Sequence, residues 1–82
     1  MSNIIKMDDL INFPGWETRK KIMKELKNGE KNAYELSKTL DLNYSSVRYH
    51  LELLQRFGLV KTIKKGRRQY FELTKTGLNL LS

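Results

Sequence analysis

Between Leu40 and Leu73 the chain reads LDLNYSSVRYHLELLQRFGLVKTIKKGRRQYFEL, and its periodicity changes halfway. Val47, Leu51 and Leu54 recur at spacings of four and three, which places them on one face of an α-helix. Beyond Gly58 come two short runs, LVKTI and QYFEL, rich in β-branched and aromatic residues. KKGR stands between them, with Gly66 at the position that needs conformational freedom, so the segment predicts a β-hairpin. The hairpin carries Lys61, Lys64, Lys65, Arg67 and Arg68. A helix that runs straight into a hairpin crowded with cations is a strong constraint on the fold, and on the kind of partner it faces.

A chain of 82 residues makes one domain at most. A domain this small buries only about 60% of its unfolded surface, so a partner helps to stabilise it. Sixteen Lys and Arg against nine Asp and Glu give a formal net charge of +7. That balance suits an anionic partner, nucleic acid above all. There is no cysteine, hence no disulfide framework and no thiolate metal site. No run reaches the ~18 apolar residues of a membrane span, and the N-terminus lacks a signal-peptide core. A soluble, cytoplasmic protein is expected. Paired carboxylates, a nucleophile beside a base and a phosphate-cradling glycine loop are all missing from the sequence, so an enzyme is not expected, and neither is a cofactor or metal.

The other elements follow from local signals. IIKMDDLINF places Ile4, Ile5, Met7, Leu10 and Ile11 at helical spacing before FPG interrupts. A helix is expected from Trp16 to about Lys27, with Arg19, Ile22, Met23 and Leu26 on one side and Lys20, Lys24 and Lys27 on a solvated one. NGE ends it, and Gly29 suits a left-handed cap. Asn32 opens a second helix, and Glu35 three residues on completes a capping box. Ala33, Leu36 and Leu40 form its apolar face. Asp41 and Leu42 make a short turn, Asn43 caps a third helix over 44–57, and Gly58 stops it. Thr74 caps a last short helix, KTGLNLL, which Gly77 should weaken.

The order helix, helix, short turn, helix, basic hairpin is that of a winged helix-turn-helix. The fold class is therefore α+β and mostly helical. It comprises a three-helix core, a two-stranded β-hairpin wing over 59–73 and short terminal helices, within one domain over 1–82. A helix of this kind fits the DNA major groove with its first turns against the bases, while a hairpin beside it lies on the backbone or in the minor groove. The expected contacts on the third helix are Asn43, Tyr44, Ser45, Ser46, Arg48 and Tyr49; none is acidic, and Glu52 comes only later. Arg48 can pair with guanine in bidentate fashion or serve a phosphate. The expected wing contacts are Lys64, Lys65, Arg67 and Arg68.

Several residues have plainer readings. His50 has no companion ligand or nucleophile and is expected to pack or cap. Trp16 is expected as a core lid or dimer contact rather than a platform for bases. Phe71 and Leu73 should face the core, with Tyr70 and Glu72 outward. Ser45 and Ser46 suit phosphate or simply the start of a helix.

The segments TRKKIMKEL, NAYELSKTLDLNYSSVRYHLELLQRFGLV and KKGRRQYFELTKTG resemble an ArsR-type winged helix-turn-helix repressor over about Thr18 to Leu81. The resemblance implies a homodimer, with the third helix reading double-stranded DNA and the hairpin as wing. The cysteines by which many ArsR-type proteins sense metals have no counterpart in KNAYELS, and His50 alone makes no multi-ligand site. The segment 1–13 and the C-terminal helix over 74–82 are expected to seal the dimer, through Ile4, Ile5, Met7, Leu10, Ile11, Leu78 and Leu81. The alternative is a winged-helix module that docks a protein and touches DNA little or not at all; such a surface would show an apolar patch where this sequence has cations.

Overall fold

The computed structural model describes residues 14–82. Three helices, α1 (Trp16–Leu26), α2 (Ala33–Leu40) and α3 (Tyr44–Arg56), lead into a hairpin of β1 (Val60–Lys65) and β2 (Arg68–Leu73), and α4 (Lys75–Leu81) follows. This is the winged helix-turn-helix architecture expected from the sequence. The residues expected in the N-terminal half of the dimer seal, Ile4, Ile5, Met7, Leu10 and Ile11, lie outside the described residues.

The starts of α2, α3 and α4 are set by side chains that satisfy backbone N–H groups otherwise without partners. Asn32 Oδ1 accepts from the Glu35 N–H at 2.7 Å, and Glu35 Oε1 accepts from the Asn32 N–H at 2.8 Å, a complete capping box. Asn43 Oδ1 accepts from the Ser46 N–H, and Thr74 Oγ1 from the Gly77 N–H. Asp41 takes a left-handed conformation at φ 54° and closes α2, which gives the short turn before α3.

Ile22, Met23, Leu36, Val47, Leu51, Leu54 and Leu59 are fully buried and form the centre of one core. Burial of each such side chain contributes roughly 1.5–3 kcal/mol before the cost of ordering it. Trp16 packs against the rim of this core, as do Leu40, Phe57 and Leu73.

The hairpin is longer than KKGR as a turn implies. Pairing continues to Lys65 opposite Arg68, so the turn is only Gly66 and Arg67. Gly66 has φ +64° while Arg67 keeps a negative φ, the pattern of a type II′ hairpin turn. Lys64, Lys65 and Arg68 are therefore strand residues, held in register by the ladder. A third segment joins: Lys31 exchanges both backbone hydrogen bonds with Phe71, at 3.1 and 2.8 Å. This bridge ties the α1–α2 connection to the free edge of β2.

Arg19 and His50 are polar members of the buried faces of α1 and α3. Both are buried, and the Arg19 guanidinium donates from Nη1 to His50 Nδ1 at 3.1 Å. Arginine has no acceptor, so this bond requires a neutral imidazole with its proton on Nε2. Burial, and then the neighbouring guanidinium, hold the His50 pKa below its ordinary value. The unfolded chain thus binds this proton at higher pH than the folded one. Stability is complete above the ordinary imidazole range, near ~6.5, and falls as the pH drops through it. The melting temperature is expected to decline between about pH 7.5 and about pH 5.5, ahead of carboxylate titration. In His50→Gln the decline should be shallower from a lower starting point. Equal slopes in the two proteins would assign the decline to other groups.

Candidate nucleic-acid interface

The start of α3 projects its polar side chains because the opposite face is committed to the core. Val47, His50, Leu51, Leu53 and Leu54 are buried, which leaves Tyr44, Ser45, Arg48 and Tyr49 exposed. The first turn of α3 contains no acidic residue. Tyr44 and Arg48, four apart, share a face. They border a cleft of about 450 Å³ whose far wall is the wing. Arg67, Arg68, Gln69 and Phe71 line it from the wing, and Asn32, Ala33 and Tyr34 from the start of α2.

Four of the residues expected from the sequence thus meet in one place: Tyr44, Arg48, Arg67 and Arg68. Asn43, Ser45, Ser46, Lys64 and Lys65 do not line the cleft. Asn43 spends its carbonyl oxygen on the helix cap, while Ser45 and Lys64 stand exposed beside the cleft walls in sequence. Tyr49 borders a separate hollow with Glu52, Leu53 and Arg56, its ring edge-on to His50 at 5.3 Å.

Five cleft residues were not among the expected contacts, and of these Ala33 and Phe71 were expected only in the core. Asn32 was visible only as a cap. Tyr34, 60% exposed, stands off the Ala33, Leu36, Leu40 stripe, and an aromatic residue off the apolar face was the available signal. Lys38 Nζ lies 5.5 Å from its ring centroid. Gln69 carried no sequence signal.

The cations of the wing are not equivalent. Lys61 Nζ pairs with Glu72 at 3.3 Å across the ladder. Lys65 Nζ forms an ion pair with Glu30 and lies over the Tyr70 ring, 5.4 Å from its centroid. The hydrogen bond to Glu30 is the main cause that raises the Lys65 pKa, although the side chain is exposed. Among the described residues no carboxylate pairs with Arg48, Lys64, Arg67 or Arg68. At the start of α3 and along the wing, an anionic partner would meet those four without displacing an acid.

On α4, Leu78 is 44% exposed, whereas Leu81 packs partly against the core. Among the described residues no group of three or more His, Cys, Asp or Glu is arranged to hold a metal ion. No helix among them is long and apolar enough to cross a membrane.

A search of curated protein sequences found no match. Solved structures give the fold many parallels. An ArsR-like transcriptional regulator from Rhodococcus sp. RHA1 is 32% identical, with TM-score 0.71 over 79% of this chain and 61% of that one. The homodimeric winged helix-turn-helix DNA-binding domain of Mb0332 from Mycobacterium bovis is 25% identical, with TM-score 0.68 over 77% of this chain and 58% of that one. A MarR family protein from Bacillus stearothermophilus, 22% identical, shares the fold at TM-score 0.76 over 88% of this chain and 52% of that one. The chain thus spans between half and about three-fifths of the length of these solved chains. A model of bacterial regulatory proteins of the arsR family matches residues 17–62, which run from α1 through the helix pair into β1. These residues carry the capped helix pair, the exposed start of α3 and the entry to the wing, and by them the chain belongs to the ArsR family of bacterial regulatory proteins.

Proposed function

We propose that the chain binds double-stranded DNA in a sequence-specific manner and acts as a homodimeric transcriptional repressor. The carrying observation is the cleft in which the acid-free start of α3 faces Arg67 and Arg68 of the wing. A strand of DNA backbone would follow this cleft, with α3 in the major groove and the wing on the backbone or in the minor groove. Tyr44, Arg48, Ser45, Ser46 and Tyr49 are the groove-facing set, and Asn43 fixes the helix start that presents them. Tyr34 and Gln69 add neutral hydrogen-bonding groups suited to phosphate.

The dimer reading rests on two supports. Leu78 leaves apolar surface exposed on α4, in a chain that also carries Ile4, Ile5, Met7, Leu10 and Ile11. The Mycobacterium bovis relative is itself a homodimeric domain. One recognition helix reads only a few base pairs, and two-fold symmetry doubles the site. The repressor role follows the resemblance to ArsR-type repressors. Selection of bound duplexes from a random pool tests the whole reading. It should recover two inverted half-sites about one helical turn, ~34 Å, apart. A pool that stays random would remove sequence specificity, and a single half-site would remove the dimer.

Arg48 is the side chain assigned to guanine. Arg48→Ala is expected to cost ~1–3 kcal/mol on the selected site and much less on unrelated duplex. Equal losses on both would make Arg48 a phosphate contact, measured by titration of labelled duplexes.

A further inference from the structure

The strand order of the wing places β2 between Lys65 and Glu30. β1 pairs with one edge of β2, and Lys31 bridges the other edge at Phe71. To reach the Glu30 carboxylate, Lys65 on β1 spans β2 over the Tyr70 ring. The Glu30 side chain is 28% exposed and that of Lys65 is 56% exposed. The Lys31–Phe71 backbone bonds hold the neighbouring acid in place. A phosphate and Glu30 would compete for the same ammonium group.

We propose that Glu30 is a positioning residue of the nucleic-acid surface: by holding Lys65 across β2 it withholds one wing cation from DNA phosphate. The wing then meets DNA through Lys64, Arg67 and Arg68, and Glu30 limits affinity for duplex of any sequence. This rests on the reading of the wing as a DNA contact. Lys61, tied to Glu72 by a cross-strand pair, provides an internal comparison.

Glu30→Gln keeps the shape of the side chain and removes its charge. The pair is open to solvent on the Lys65 side, and pairs at a protein surface contribute little to stability, so the variant should melt close to the wild type. Binding of a mixed-sequence duplex is compared at about 50 mM and about 200 mM salt, where one added phosphate contact steepens the dependence by ~0.9 in slope. Glu30→Gln should bind more tightly at the lower salt and lose about 3.5-fold more affinity than the wild type across that range, per chain engaged. In a Lys65→Ala background the same substitution should change affinity by less than about twofold, since the cation it would release is gone and a distant charge is screened. Glu72→Gln, an equal change of charge, should give a smaller gain than Glu30→Gln. Unchanged or weaker binding by Glu30→Gln would overturn the proposal, as would equal gains with and without Lys65. A wild-type chain that fails to bind duplex at the lower salt would overturn both this proposal and the DNA-binding reading. A wild type that binds normally beside an unresponsive Glu30→Gln overturns this one alone.

Discussion

Replacing Arg67 and Arg68 together with Ala is expected to weaken binding to every duplex alike, by roughly 60-fold per chain engaged at ~0.1 M salt. The magnitude follows from counterion release. Each phosphate neutralised contributes ~0.9 to the slope of log affinity against log salt, which is about 8-fold between ~1 M and ~0.1 M for each contact. Both guanidiniums line the cleft beside α3, and no carboxylate among the described residues pairs with either. Neither has to leave a partner before it meets phosphate. The signature is a flatter salt dependence with the preference among sequences retained, because phosphate contacts position and carry no base information. Titration of the selected site and of a scrambled duplex at several salt concentrations measures both. Unchanged slope and affinity would take the wing out of the interface and return weight to a protein-docking module. A loss confined to the selected site would instead make the wing a base reader. The contrast with Arg48→Ala, which should lower specificity, separates the roles of helix and hairpin.

Gly77→Ala is expected to destabilise the fold by as much as about 2 kcal/mol, although alanine is the better helix former. Intrinsic propensity favours the substitution by about 1 kcal/mol. The packing opposes it. A Cβ at Gly77 would collide with the carbonyl oxygen of Leu59 and stand 2.7 Å from Leu73 Cδ1. The Leu59 oxygen cannot move aside freely, since it accepts the Thr74 N–H at 3.0 Å, and the Leu59 N–H is held by the Leu54 oxygen at 3.0 Å. The helix must shift away, and forcing extra volume into a packed site typically costs 1–3 kcal/mol, sometimes more. A net loss of ~2 kcal/mol lowers the melting temperature of a domain this size by roughly 8–16 °C. Thr76→Ala on the exposed side of α4 serves as control and should be neutral or slightly stabilising. If Gly77→Ala raised the melting temperature, the close approach of α4 to Leu59 would be wrong. The displacement also bears on the proposed dimer, because Leu78 follows directly and is an exposed apolar residue of this helix.

The sequence determined the elements whose causes are local. Asn32 with Glu35, Asn43 and Thr74 cap helices through bonds that span three residues, so the caps are legible in one turn of chain. The stripe Val47, Leu51, Leu54 marks the buried face of α3 by spacing alone, and the exposed face is what remains. Those two facts made the order of elements and the α3 side of the cleft, Tyr44 and Arg48, readable in advance, and the charge of the hairpin marked Arg67 and Arg68. The tertiary structure decided what depends on residues far apart in the chain. Arg19 was placed on the apolar side of α1 by its spacing, but its partner His50 lies 31 residues away. The hairpin ends were misjudged because Lys64, Lys65 and Arg68 carry no alternation of apolar and polar residues to mark a strand; their pairing is inherited from the ladder below. Gly77 looked like a flaw in a helix, since propensity is a local quantity and the Leu59 carbonyl that forbids a side chain is not. Lys65 looked like any other wing cation until the edge bridge at Lys31 brought Glu30 within reach. Charge and period can be counted along the chain, whereas which cation keeps an acid beside it is settled only when strands from distant segments share an edge.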